Sequence, residues 1–106
     1  MEQSTIIESC EFLFGQHSDE WSNQAGIYIF AGLNLDRKWT PIVVGQCDSF
    51  ADSIPLHSLW ATAKKQGATH VLYRPTPLKH DRDRIENILI TKYADLVILQ
   101  EGQKKE

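Results

Sequence analysis

The chain moves between two hydrophobic rhythms. Residues 26–31 (Gly-Ile-Tyr-Ile-Phe-Ala) and 39–45 are rich in aromatic and β-branched side chains, the types that favour strands. Residues 32–38 between them hold Gly32, Asn34 and Asp36, which suit a turn. An antiparallel hairpin is therefore expected, with Pro41 near the start of its second strand, where a missing N–H is tolerated. The period then changes. Leu56, Leu59, Trp60 and Ala63 recur at i, i+3, i+4 and i+7, which predicts a helix over residues 55–66 with Pro55 in its first position and Gly67 past its end. Residues 69–74 predict a third strand, closed by Pro75 and Pro77. Residues 80–93 predict a helix that turns Ile85, Ile88, Leu89 and Tyr93 inward, and 95–100 a last strand. Residues 4–15 mix apolar and acidic side chains and fit either a short helix or a strand, whereas 17–24 form a polar loop anchored by Trp21. The fold class is α+β: a small antiparallel three-stranded sheet flanked by helices, in a single domain.

Composition narrows this little, and charge narrows it more. A chain of 106 residues, 42% apolar and 24% charged, has room for one globular core. No apolar run approaches the roughly 20 residues of a membrane span, and the first residues lack the layout of a signal peptide. A cytoplasmic protein with no membrane partner is expected. Cys10 and Cys47 cannot form a disulfide framework, and His17, His57, His70 and His80 have no zinc-ligand spacing. Residues 1–25 carry Glu2, Glu8, Glu11, Asp19 and Glu20 with no Lys or Arg, a charge of −5, and the remaining residues sum to +2. Counterion release from a basic stripe supplies much of the affinity of nucleic-acid binders, so this balance argues against tight, non-specific DNA binding. Residues 1–24 are expected as an acidic arm, 25–100 as the domain and 101–106 as a charged tail.

Four pieces in a fixed order give the chain a specific resemblance. Gly26-Ile27-Tyr28 on one strand and Val43-Val44-Gly45-Gln46 closing the next are similar to the two halves of the GIY-YIG nuclease signature. Pro55, His57, Trp60 and Gly67-Ala68-Thr69-His70-Val71 resemble a recurring stretch of small bacterial members. Arg82-x-Arg84-Ile85-Glu86-x-x-Leu89-Ile90 resembles the helix that carries the family's metal-binding glutamate. The resemblance covers residues 25–94. It implies metal-assisted phosphodiester hydrolysis, with Tyr28 and His57 activating water and Glu86 holding one Mg²⁺ or Mn²⁺.

Other positions depart from that pattern. The second-motif tyrosine falls on Val43, and the phosphate-clamping arginine falls on Ser53. A terminal asparagine has no counterpart near Asp95-Leu96-Val97-Ile98. The candidate substrate contacts are Arg37, Arg82, Ser53 and Gln46, with Arg82 and Arg37 the cations that could replace the lost clamp. Losing one preorganised charge stabiliser costs about 10²–10³ in rate. The resemblance thus implies a catalytically impaired domain that binds nucleic acid or a protein in a regulatory role, the alternative being a residual metal-dependent endonuclease built on Tyr28, His57 and Glu86. Each residue also has a plainer reading. Tyr28, Trp39 and Trp60 suit a core, His57 a helix surface, and Glu86 a solvated ion pair with Arg82 at i−4.

Overall fold

The first strand pair sits where an arm was expected. β1 (Gln3–Ile7) and β2 (Cys10–Gly15) form an antiparallel hairpin, and β2 pairs in turn with β5 (His70–Pro75). The cause is Ile7 and Phe12, which enter the core, joined by a two-residue turn whose Glu8 and Ser9 both have positive φ, 51° and 67°. Such a turn matches the twist of paired strands. The computed structural model describes residues 4–93 and the backbone of 3 and 99–100; the terminal asparagine position, most of the expected last strand and the charged tail lie outside them.

β3 (Gly26–Leu33) and β4 (Trp39–Cys47) are the expected hairpin, and β5 pairs antiparallel with β3. The sheet is therefore larger than the three strands expected. Its order is β1-β2-β5-β3-β4-β6, where the first five strands are antiparallel and β6 (Leu99–Gln100) lies parallel to β4. At Gly26 a Cβ would collide with the Arg74 carbonyl oxygen and the Phe50 ring, so glycine lets β3 begin hard against β5.

Helices cover both faces. On one, Ile85 and Leu89 of α3 (Lys79–Lys92) pack on Ile27, Ile29, Val44 and Leu72. On the other, Phe50 of α1 (Phe50–Ser53) and Ala63 of α2 (Trp60–Lys65) join Ile54 and Ala68 over Tyr28, Phe30, Ile42 and Val43. Each fully buried large apolar side chain contributes about 1.5–3 kcal/mol, so both faces fix the register against a one-residue slip. Between Phe30 and Ala31 the pairing skips Ile42. This bulge puts Ile42 and Val43, neighbours in sequence, in the same apolar cluster.

Two helical expectations are corrected. The helix over residues 55–66 shortens to α2, with Pro55 and Leu56 in a turn and Leu56 87% exposed. His57 interrupts the helix, because its ring Nδ1 accepts the Leu59 N–H at 3.1 Å and its carbonyl accepts the Trp60 N–H at 3.2 Å. α3 starts and ends within a residue of expectation, but Ile88 faces outward.

Candidate functional site

Tyr28 leaves β3 toward α1, and its Oη lies 2.8 Å from His57 Nε2. The rings meet edge to face with centroids 5.2 Å apart, and Phe30 packs against both. Because His57 Nδ1 accepts a backbone N–H, the proton of the neutral ring resides on Nε2 and is donated to the phenol oxygen. The pair opens into a cleft of about 220 Å³ lined by Tyr28, Ser53, His57 and Ser58. Ser53 ends α1, and its side chain is hydrogen-bonded to Cys47. Burial pushes the Cys47 thiol up, with Ser53 offsetting part of that rise, so Cys47 is a protonated, poorly reactive thiol at neutral pH.

Glu86 belongs to a different cluster. It is 6% exposed, and Oε1 accepts a 2.7 Å bond from the Gln46 amide. The same amide nitrogen donates to Asp83 at 2.8 Å. Arg82, 5% exposed, donates Nε–H to Gln46 Oε1 at 3.2 Å and Nη1–H to the carbonyls of Thr76 and Pro77. Its Nη2 meets Asp48 at 3.2 Å. Arg82 and Glu86 are thus not a solvated ion pair: both are buried, and Gln46 bridges them. Lys79 and Gln46 bonds to the exposed Asp83 carboxyl hold it below the usual aspartate range.

Gln46 stands opposite Ile27, one residue out of step with Tyr28, which stands opposite Gly45. Side chains alternate along strands, so Tyr28 and Gln46 leave the sheet on opposite faces. The single pocket expected for Tyr28, His57 and Glu86 is replaced by two groups: Tyr28–His57–Ser53 in the cleft, and Glu86–Gln46–Arg82 beside α3. Neither expected replacement cation reaches the cleft. Arg82 is consumed by bonds within the fold. Arg37 sits exposed at φ 63° in the β3–β4 turn, which Asn34 holds by accepting the Asp36 and Lys38 N–H groups; it lines a separate hollow with Trp39 and His70.

The chemistry of Glu86 suits a hard cation in one respect, since among the described residues its buried Oε2 has no hydrogen-bond partner and Mg²⁺ and Mn²⁺ favour carboxylate oxygen. Among the described residues no group of three or more His, Cys, Asp or Glu side chains surrounds such a position. Sequence reasoning missed the structural use of Gln46 and Arg82, because a charged residue four positions from an acid reads as a surface pair unless burial is known. No helix among the described residues is long and apolar enough to cross a membrane. No family model, curated protein or solved structure matches the chain.

Proposed function

We propose that the chain is a catalytically impaired GIY-YIG-like domain that acts in the cytoplasm as a binding or regulatory module, engaging a protein partner or nucleic acid. One observation carries this reading: the cleft keeps the Tyr28–His57 hydrogen bond, yet among the described residues its lining is Tyr28, Ser53, His57 and Ser58, with no Lys or Arg. A phosphodiester entering it would find the tyrosine–histidine pair and no clamp, and the buried cation that could serve is already bound to Gln46, Asp48, Thr76 and Pro77.

A second reading, residual metal-dependent endonuclease activity, draws support from the unpartnered Oε2 of Glu86. There Glu86, with Asp83 beside the same amide, would hold Mg²⁺ or Mn²⁺. Bound metal would supply charge stabilisation for the leaving oxygen. Tyr28, as phenolate with its charge held by His57 Nε2–H, would take a proton from water and become neutral phenol, and because it leaves the sheet on the face away from Gln46 this reading needs a substrate that reaches both groups.

A cleavage assay with Mg²⁺ and Mn²⁺ on single-stranded, nicked and branched DNA separates the two. The first reading expects little or no product. Robust turnover abolished by Tyr28→Phe and by Glu86→Gln, in proteins that still melt cooperatively, establishes the second instead.

A further inference from the structure

A second hollow lies where β3 ends and β5 begins. α3 packs on Ile27, Ile29, Val44 and Leu72. Further along the same strands Ala31 stands opposite His70, and Leu33 opposite Trp39. There a cavity of about 490 Å³ opens, lined by Phe14, Trp39 and His70, by the Ser4 and Thr5 side, and by Arg37. The three rings meet edge to face, with centroids 5.1 Å apart for Phe14 and Trp39, 5.3 Å for Trp39 and His70, and 6.0 Å for Phe14 and His70. Among the described residues Arg37 is the only Lys, Arg, Asp or Glu in the lining.

The turn, not a partner, holds Arg37 beside these rings. Its N–H donates to the Asn34 carbonyl at 2.9 Å, and the Asn34 side chain accepts the N–H groups of Asp36 and Lys38. Among the described residues the guanidinium has no hydrogen bond or ion pair. Its backbone sits at φ 63°, a left-handed conformation that glycine adopts at lower cost, and residues kept in such conformations gather at ligand sites. The lining narrows the occupant. A wholly apolar segment would bury the exposed Arg37 charge without compensation. An acidic peptide would meet that charge and leave the rings in water. A planar ring bearing a phosphate satisfies both, with the ring against the indole and two phosphate oxygens on the guanidinium fork. The Ser4 and Thr5 hydroxyls can donate to or accept from the polar edge of a heterocycle. One cation matches one phosphate group, in keeping with a net charge of −3 that disfavours a long nucleic-acid track.

We infer that this hollow is a binding site for a single nucleotide unit, its base against Trp39 and its phosphate on Arg37. Trp39 and Phe14 pack on the α3 side of the sheet, whereas Tyr28 belongs to the other side, so the site is separate from the cleft and goes beyond the function proposed above. A chain that cuts DNA and still binds a nucleotide here overturns only that proposal. One that neither cuts nor binds overturns only this inference.

The test titrates the full, isotope-labelled chain with adenosine monophosphate, adenosine, inorganic phosphate and phenyl phosphate, read at the Trp39 indole N–H and the Arg37 guanidinium. Saturable binding of the monophosphate is expected, with adenosine and inorganic phosphate each at least about tenfold weaker. Arg37→Gly removes the cation and relaxes the turn. It should melt no lower than the parent chain, while affinity for the monophosphate falls about tenfold and that for adenosine stays. Trp39→Leu should weaken both ligands together by about tenfold; if it loses its cooperative melt, Arg37→Gly and the four ligands decide. A short oligoadenylate separates the two sources of this chemistry. Binding no tighter than the monophosphate marks a free nucleotide, and tighter binding with a log–log salt slope steeper than about −0.7 marks a strand; either result upholds the site. No saturable binding of the monophosphate, or binding unchanged in Arg37→Gly, overturns the inference. Phenyl phosphate binding as tightly as the monophosphate overturns it in favour of a phosphorylated aromatic side chain.

Discussion

The hydrogen bond between Tyr28 and His57, 2.8 Å long, runs from imidazole to phenol, because the Leu59 N–H occupies the other ring nitrogen. His57 is thereby both the break in a helix and the partner of a buried tyrosine.

The ring should be observed as the Nε2–H tautomer at neutral pH, by long-range nitrogen–proton correlation on labelled protein. An Nδ1–H tautomer contradicts the bond direction. His57→Ala leaves the Leu59 N–H and the phenol each without this partner, and is expected to cost about 1–3 kcal/mol in chemical denaturation.

Arg82 and Glu86 should respond unequally to neutral substitution. Arg82→Met abandons two backbone carbonyls, Gln46 and Asp48, and is expected to destabilise by about 3–5 kcal/mol. Glu86→Gln keeps the shape and removes a buried charge with one unpartnered oxygen, so a change within about 1 kcal/mol is expected. Equal losses in urea titrations contradict the assignment of Arg82 as the structural member.

Asp83 gives a pH signature. Its folded carboxyl titrates below the usual range because Lys79 and Gln46 bond to it, so the stabilisation is present at neutral pH and fades as acid protonates the folded group. Asp83→Asn should lower stability slightly at neutral pH and leave the acid end nearly unchanged, flattening the acid limb, as followed by melts across pH. The effect is small, since the group is exposed.

The β1–β2 turn is strained by its side chains. Glu8 and Ser9 hold left-handed conformations that glycine and asparagine adopt at lower cost. The double substitution Glu8→Asn, Ser9→Gly should stabilise by about 1 kcal/mol, raising the melting temperature by about 4–8 °C.

A chain starting near Gln24 should lose cooperative unfolding altogether. It lacks Ile7 and Phe12 and uncovers the edge of β5; calorimetry on the truncated chain checks this. A truncated chain that melts like the full one would show that residues 3–15 are dispensable.

The central hairpin, β5 and α3 were legible because long apolar stretches bounded by turn residues mark them, even though Ile42 breaks the alternation of β4 and Ile88 faces outward on α3. β1 and β2 were not, since Glu8-Ser9 lacks the asparagine–glycine signal of a tight hairpin and acidic residues dilute the alternation. The long helix over residues 55–66 failed because a side-chain acceptor at His57 competes with the helical backbone, which periodicity does not register. In the site, motif spacing located Tyr28 and His57 as neighbours. It had no means of showing that Gln46 points away from Tyr28, or that Arg82 is spent on the carbonyls ahead of α3, because both depend on strand phase and burial.

The unpaired Ile42 is a passenger in the register. Pro41 opposite Ala31 and Val43 opposite Phe30 already alternate, so deleting Ile42 would close the bulge with every later pair of β4 in place. Gln46 would stay opposite Ile27 and Gly45 opposite Tyr28, and the two polar groups would keep to their own sides of the sheet. The loss would fall on packing alone, one apolar side chain fewer in the layer that holds Tyr28.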